Sequence, residues 1–257
     1  MSKQKRMLVG IETKLVGVGK NVIDFFEEWG ELYQKIVRWS AKRLLWGLTK
    51  NELLPIIQSE FDVDWAWADS AITDAVAAID SAKELRKLNI INIEADLKSG
   101  IERVEEMIGE YNQLIKESKL QKAKNQAFYI NNKLNRLIAQ CERLIFLKNS
   151  QISITFGTKE LARKQNFLSE NGYKNREEWL KDWREARSGN FQSIGKADAS
   201  GKNKVMKTYH VKDNIFRLKI TVPKCLVKKY SSCLTLDFTV PQRRLNDLIY
   251  AVDPKNV

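Results

Sequence analysis

Two apolar series placed end to end restrict the fold of this chain more than any other feature. Leu97, Ile101, Val104, Ile108, Tyr111 and Ile115 recur at intervals of four and three, and after a polar turn Ile130, Leu134, Leu137, Cys141 and Leu144 do the same. Such spacing marks helices that pack along a seam, and two seams in succession predict an antiparallel helical hairpin. Arms of about 25 residues reach about 38 Å at 1.5 Å per residue, long enough to act as a spacer. Cys141, at a seam position, is expected as a small buried hydrophobe.

The flanking sequence divides by period. From about Asn21 to Leu48, Val22, Phe26, Trp29, Tyr33, Ile36, Val37 and Leu44 mark one face of a long helix. Thr49 and Glu52 have capping-box spacing, and Pro55 makes the helix that follows short or makes it restart. A third helix, roughly Val63 to Leu88, carries Ala68, Ile72, Val76 and Ile79 on its inner side. The opening MLVGIETKLVGVG reads as a strand with a loop. After Ser150 the runs QISITF, NFQSIG, KVMKTYHV, IFRLKITV and CLTLDFTV read as strands, with Asp213 and Asn214 as a hairpin turn, and QRRLNDLIYAV closes the chain as a helix. The predicted class is α+β. Residues 1–18 supply a first strand, 19–150 a helical lobe, and 151–257 a basic β-rich module that the first strand joins, so that the helices form an insertion.

Charge and residue usage narrow the chemistry. Residues 151–257 hold 21 Lys and Arg against 11 Asp and Glu, most of the chain's net charge of +12. Between Lys50 and Lys83 there is no basic residue, while Glu52, Glu60, Asp62, Asp64, Asp69, Asp74 and Asp80 all fall there. One end of the molecule should attract polyanions and the other repel them. The three cysteines form no C-x-x-C pair, so neither a disulfide framework nor a zinc finger is indicated, and a reduced cytoplasm fits. No apolar run of about 18 residues signals a membrane span or a leader. The single histidine, His210, in a predicted strand, leaves no Ser-His-Asp or Cys-His nucleophilic site. Phosphate-loop and H-E-x-x-H motifs are absent, and GVGKN lacks the phosphate-loop spacing. Asp237 is the one acid at the middle of an apolar strand, with about twenty residues after it, too few for the rest of a two-metal nuclease core.

Nucleic-acid binding survives this elimination. In NREEWLKDWREARSGNF, Trp179 and Trp183 fall one turn apart on one helix face, Arg176, Arg184 and Arg187 lie around the rim, and Ser188 and Asn190 sit in the loop that follows. GTKELARKQNF, just upstream, adds Lys159, Arg163, Lys164 and Gln165 on a short helix. Two basic helical segments joined by an NGY turn outline a phosphate clamp. The indoles are expected mainly to fix the cationic helix against the β module, although an exposed one could stack on a base.

The same segments, FGTKELARKQNF and ENGYKNREEWLKDWREARSGNFQSIGKAD with the β-rich stretch after them, resemble the middle of TnpB-related proteins of the transposon OrfB family, relatives of the type V CRISPR effectors. The similarity spans roughly residues 152–250, through Gly157, Lys159, Gln165, Phe167, Asn171, Gly172, Trp179, Trp183, Arg187, Phe191, Gly195, Lys196 and Asp198; residues 1–150 match only in layout. The resemblance implies a barrel-like, oligonucleotide-binding-like wedge domain and an inserted recognition lobe that together hold a guide RNA and its heteroduplex with target DNA, the protein following duplex shape while base pairing reads sequence. It adds Tyr173, Phe191 and Lys196 to the candidate nucleic-acid-binding residues. Family members continue into a RuvC-like nuclease with a metal-binding carboxylate triad, and this chain stops at Val257, where that domain would begin. No catalytic or metal-binding residue is therefore expected here, and Mg only in a RuvC-like partner on a separate chain. Two alternatives stay open: a nuclease-free RNA-guided DNA-binding repressor, and a helical protein-interaction module whose hairpin is the working part.

Overall fold

Aromatic side chains at helical spacing build the first part of the fold. In this computed structural model, which describes residues 12–13, 15, 17–188, 190–194 and 203–252, α1 (Lys20–Leu45) buries Trp29, Tyr33, Ile36 and Val37 of the predicted face and encloses Phe25 with them, while Val22, Phe26 and Leu44 are half-buried. Helix α2 (Lys50–Phe61) opens with the predicted capping box: the Thr49 hydroxyl accepts from the Glu52 amide while Glu52 accepts from the Thr49 amide. Pro55 lies inside α2 without ending it, because Leu53 and Ile57 on either side are anchored in the core. The first turns of α3 (Trp65–Lys116) bring Trp67 edge-on to Trp29, with ring centroids 5.0 Å apart. The Trp67 indole donates to the Thr221 carbonyl, tying these helices to the later strands.

Helix α3 corrects the expected break after Leu88. It runs unbroken through 52 residues, since nothing between Leu88 and Leu97 interrupts it and Ile93 and Leu97 continue the buried face. The left-handed Ser118 turns the chain into α4 (Leu120–Asn149), and Arg86 donates to the Leu147 and Ser150 carbonyls at the far end of that helix.

Two compact units result: Met1–Val76 with Thr155–Val257, and Ala77–Ile154. The helical lobe expected from residue 19 is thus divided, with α1 and α2 in the same unit as the sheet. In the second unit the α3–α4 hairpin is present, but its buried seam is turned away from part of the predicted face. Ile93, Leu97, Val104 and Leu137 form the buried line, with Ile130, Leu144 and Leu147 packed against it. Ile101, Ile108, Ile115 and Leu134 remain exposed, and so does Cys141, contrary to expectation. The pair does bury positions four and three apart, Ile93, Leu97, Gly100 and Val104 on α3, so the seam keeps the predicted spacing but is turned to one side of the predicted face.

In the first unit, α5 (Lys159–Lys164) and α6 (Arg176–Glu185) precede the strands β1 (Met206–Lys212), β2 (Ile215–Thr221) and β3 (Cys233–Thr239); α7 (Val227–Tyr230) lies between β2 and β3, and α8 (Gln242–Val252) ends the described chain. The class is α+β, with an open antiparallel sheet of order β1-β2-β3. Asp213, at positive φ, makes the predicted turn between β1 and β2. Phe216, Ile220, Leu234, Leu236 and Phe238 form the buried face, and Leu245, Leu248 and Ile249 of α8 pack against it.

Two predicted strands are not strands. QISITF carries alternating burial without a ladder partner among the described residues. The described part of NFQSIG, residues 190–194, satisfies its backbone through helix side chains: Gln34 donates to the Asn190 carbonyl and the Ile194 amide to the Ser70 hydroxyl. The predicted first strand falls largely outside the described residues. Its described part reaches the sheet, Leu15 bridging antiparallel to Phe238 and the Thr13 hydroxyl donating to the Thr239 carbonyl. No helix of the described residues is long and apolar enough to cross a membrane.

Candidate nucleic-acid interface

Local rules place the Trp–Arg helix. Asn175 caps α6 by accepting from the Glu178 amide, and Glu178 reaches one residue further back, to the Lys174 amide, so the predicted box is only half formed. Gly172 takes the left-handed conformation that the NGY turn needs, φ 82°. Trp179 and Trp183 stack with centroids 5.6 Å apart and planes 15° from parallel. Trp179 is buried and its indole N–H donates to the Leu161 carbonyl of α5 at 2.9 Å. Trp183 lies over Gly157, where an added Cβ would meet the indole at 3.0 Å and the Arg187 stem at 3.1 Å. The paired indoles therefore fix α6 against α5 and the Gly157 turn, parts of the 151–257 segment other than its sheet strands.

The loop after α6 is laid along α1. Gly30 lets the Ser188 carbonyl approach the helix backbone, and the Arg38 guanidinium donates to the Arg187 carbonyl at 3.0 Å. Gln34 holds the Asn190 carbonyl, and Phe191 stacks on Phe26 and meets Trp29, Tyr33 and Trp67 edge-on. Phe26, Gly30, Gln34 and Arg38 are four residues apart, one ridge of α1. That spacing was readable in the sequence, but nothing there told which segment it receives.

The result is a pair of half-buried cations, Arg38 and Arg187, with the exposed Arg184 close by. Arg187 turns back so that its guanidinium lies 4.6 Å from the Trp183 ring centroid and its Nε donates to the Trp183 carbonyl. Neither Arg38 nor Arg187 makes a salt bridge to a described residue. Burial, and then the neighbouring Arg187, lowers the pKa of Arg38; burial, and then Arg184, lowers that of Arg187. Burial is the larger cause in both, the like charge of the neighbouring guanidinium adds to it, and for Arg38 the Glu31 carboxylate offsets part of it. A small cleft of about 90 Å³ opens there, lined by Gln34, Phe156, Gly157, Ala186, Arg187 and Asn190.

The other candidates are dispersed around this centre. Lys159, Arg163 and Gln165 are exposed on and just after α5, and Lys164 pairs with Glu160. Arg163, Lys164, the exposed Phe167 and Asn171 line a second, shallow cleft. Tyr173 donates to Asp182 at 2.9 Å, and that bond raises its phenol pKa. Arg176 and Arg184 are exposed at the two ends of α6, Ser188 is half-buried against α1, and Lys196, like Gly195 and Asp198, lies outside the described residues. Sequence reading missed Gln34, Arg38 and the open face of the sheet. On that face Lys207 stands opposite Lys219, and Tyr209 opposite Arg217, which Asp237 holds through two hydrogen bonds. Strand alternation could have found it. Among the described residues no group of three or more His, Cys, Asp or Glu is placed to hold a metal ion.

Fold and site together define an α+β polypeptide whose cationic Trp–Arg segment is pinned to an aromatic helical core. The chain belongs to the SSO2105 N-terminal domain family, whose family model matches residues 8–230. No curated protein and no solved structure matches it.

Proposed function

We propose that this chain binds a guide RNA and the RNA–DNA heteroduplex, as the recognition half of a TnpB-related, RNA-guided DNA-targeting system whose nuclease lies outside this chain. The observation that carries the reading is the Arg38–Arg187 pair, two half-buried guanidiniums held by backbone carbonyls and making no salt bridge to a described residue, with the exposed Arg184 beside them. Phosphate oxygens are the ligands such a fork geometry accepts best. The exposed cations of α5 extend the same surface, and the sheet's open face offers Lys207, Lys219 and the exposed Tyr209 for a backbone and a stacked base. In this reading the three-stranded sheet with its Leu15 bridge is part of an oligonucleotide-binding-like wedge, and the α3–α4 hairpin belongs to the recognition lobe. The family match names the domain and does not bear on the TnpB resemblance.

The test is purification from the native host with sequencing of the RNA that copurifies. A discrete RNA population released by salt supports the reading; each neutralised phosphate contributes about −0.7 to −0.9 to the slope of log K against log salt. Protein free of nucleic acid, with affinity for RNA unchanged between low and moderate salt, overturns it. A nuclease chain recovered in the same preparation would favour the split effector over a nuclease-free repressor.

A further inference from the structure

The α3–α4 hairpin buries one seam and leaves a second one bare. On α3 the exposed Ile101, Ile108 and Ile115 each follow a seam residue, Leu97, Val104 and Tyr111, by four. On α4 the exposed Leu134 follows Ile130 by four, and Cys141 follows Leu137 by four. The same offset on two antiparallel helices places both stripes on the same side of the hairpin. Glu94 and Lys148, which occupy the equivalent positions four after Ile90 and Leu144, demonstrate it by pairing across the arms at 2.6 Å. Ile138 and Ile145 widen the α4 stripe.

We infer that this stripe is a self-association surface on which a second copy of the chain docks, two hairpins closing into a four-helix bundle. The six Ile and Leu side chains just named are each between 41% and 59% exposed, which amounts to roughly 600 Å² of surface, and Leu120 and Cys141 extend it toward the ~800 Å² per partner of a standard interface. Both arms carry the stripe with the same seven-residue repeat, so a two-fold axis makes the surface complementary to itself. The bare stripe beside the buried seam makes the apolar face three positions wide per heptad, the width used by a bundle helix that packs against two neighbours. The inference is independent of the nucleic-acid reading, and the experiment removes nucleic acid first.

The full chain, nuclease-treated and held in high salt, is examined by sedimentation equilibrium, with Cys141 as a local reporter. A dimer of twice 29.8 kDa is expected, together with alkylation of Cys141 that slows as protein concentration rises. The double variant Ile108→Glu/Ile138→Glu changes two side chains that are exposed in the single chain, so its circular dichroism should stay the same while the association constant falls at least about a hundredfold, charges now being buried in the interface. A chain that is monomeric at 100 μM or so, with Cys141 alkylated equally fast at every concentration, overturns the inference. So does a dimer that the double variant leaves intact, since another surface would then be responsible.

Discussion

The two units spend apolar residues in opposite ways. In the first, Phe25, Trp29, Tyr33, Trp67 and Phe216 are fully enclosed, and the aromatic cluster is completed by Phe191, which arrives from more than a hundred residues away in sequence. In the hairpin the buried line is thin and aliphatic, while Phe128, Tyr129, Phe146 and the isoleucine stripe face outward. The first unit draws its stability from non-local packing that also aims a functional segment; the hairpin draws its own from local periodicity and keeps a surface in reserve. Substitutions should therefore be felt differently in the two.

The largest effect is expected at Trp179. Its replacement by Ala removes a buried ring, a stacking partner for Trp183 and the hydrogen bond to Leu161, and should cost about 3–5 kcal/mol in a urea titration, with RNA affinity lost alongside. Ile138→Ala in the hairpin, where the side chain is exposed, should cost less than about 0.5 kcal/mol in dilute, monomeric protein. A smaller but sharper contrast uses one substitution at two sites. Gly→Ala within a helix gains up to about 1 kcal/mol of propensity. At Gly30 the new Cβ collides with the Ser188 carbonyl, a backbone atom fixed by the neighbouring Arg38 and Gln34 contacts, so Gly30→Ala should be destabilising by about 1–3 kcal/mol. At Gly100 it meets only the end of the Leu137 side chain, which can rotate away, and Gly100→Ala should lie within about 1 kcal/mol of neutral. Equal losses at both sites in denaturant titrations would erase the distinction between the units.

What could be read in advance follows the same division. Most of the face of α1, the start of α2, the existence of the hairpin, the three ladder strands and α8 declare themselves locally, by period or by capping pattern. The uninterrupted α3 was missed because a helix that passes from one packing environment to another changes its buried face without any Gly or Pro to mark the place. The stretches 151–156 and 190–194 were misread as strands because alternation reports one-sided burial and is silent on whether the partner is a strand or a helix side chain such as Gln34. The candidate cations were legible from composition, whereas the half-buried Arg38 was not, since only the tertiary contact of α1 with the Arg187 carbonyl brings it there.

Binding gives a finer comparison. Arg184 is exposed and makes no salt bridge to a described residue, so Arg184→Ala should leave the unfolding midpoint within about 0.5 kcal/mol of the parent. RNA affinity should fall several-fold, with the salt slope reduced by about 0.7–0.9 if that guanidinium neutralises one phosphate. Arg187→Ala should weaken binding further, and it also removes packing on Trp183. The matching hairpin substitution, Arg143→Ala, should move neither the slope nor the midpoint by a measurable amount if the nucleic acid keeps to the first unit.

The smallest expected effect is one of sign. Asp74, partly buried in the first unit, accepts from the Tyr33 hydroxyl at 2.7 Å, yet burial raises its carboxyl pKa above the usual range, the tyrosine bond only offsetting part of that cost. A carboxylate whose pKa is raised by folding stabilises the folded state fully below its unfolded value near 3.8, and that contribution is lost as pH rises through the folded value. In the hairpin, Glu117 behaves in the opposite sense: hydrogen bonds from Lys119 and Gln113 lower its pKa, so its contribution is present above about 4.5 and lost on acidification. Asp74→Asn keeps an acceptor for Tyr33 and removes the ionisation. Its melting temperature should match the parent near pH 3.5 or below and exceed it at pH 7, by less than about 4 °C. Glu117→Gln should match the parent at low pH and fall slightly below it at pH 7. If both substitutions shifted stability in the same direction between these pH values, the burial argument for Asp74 would fail, and with it the view that only the first unit holds a carboxylate at a cost.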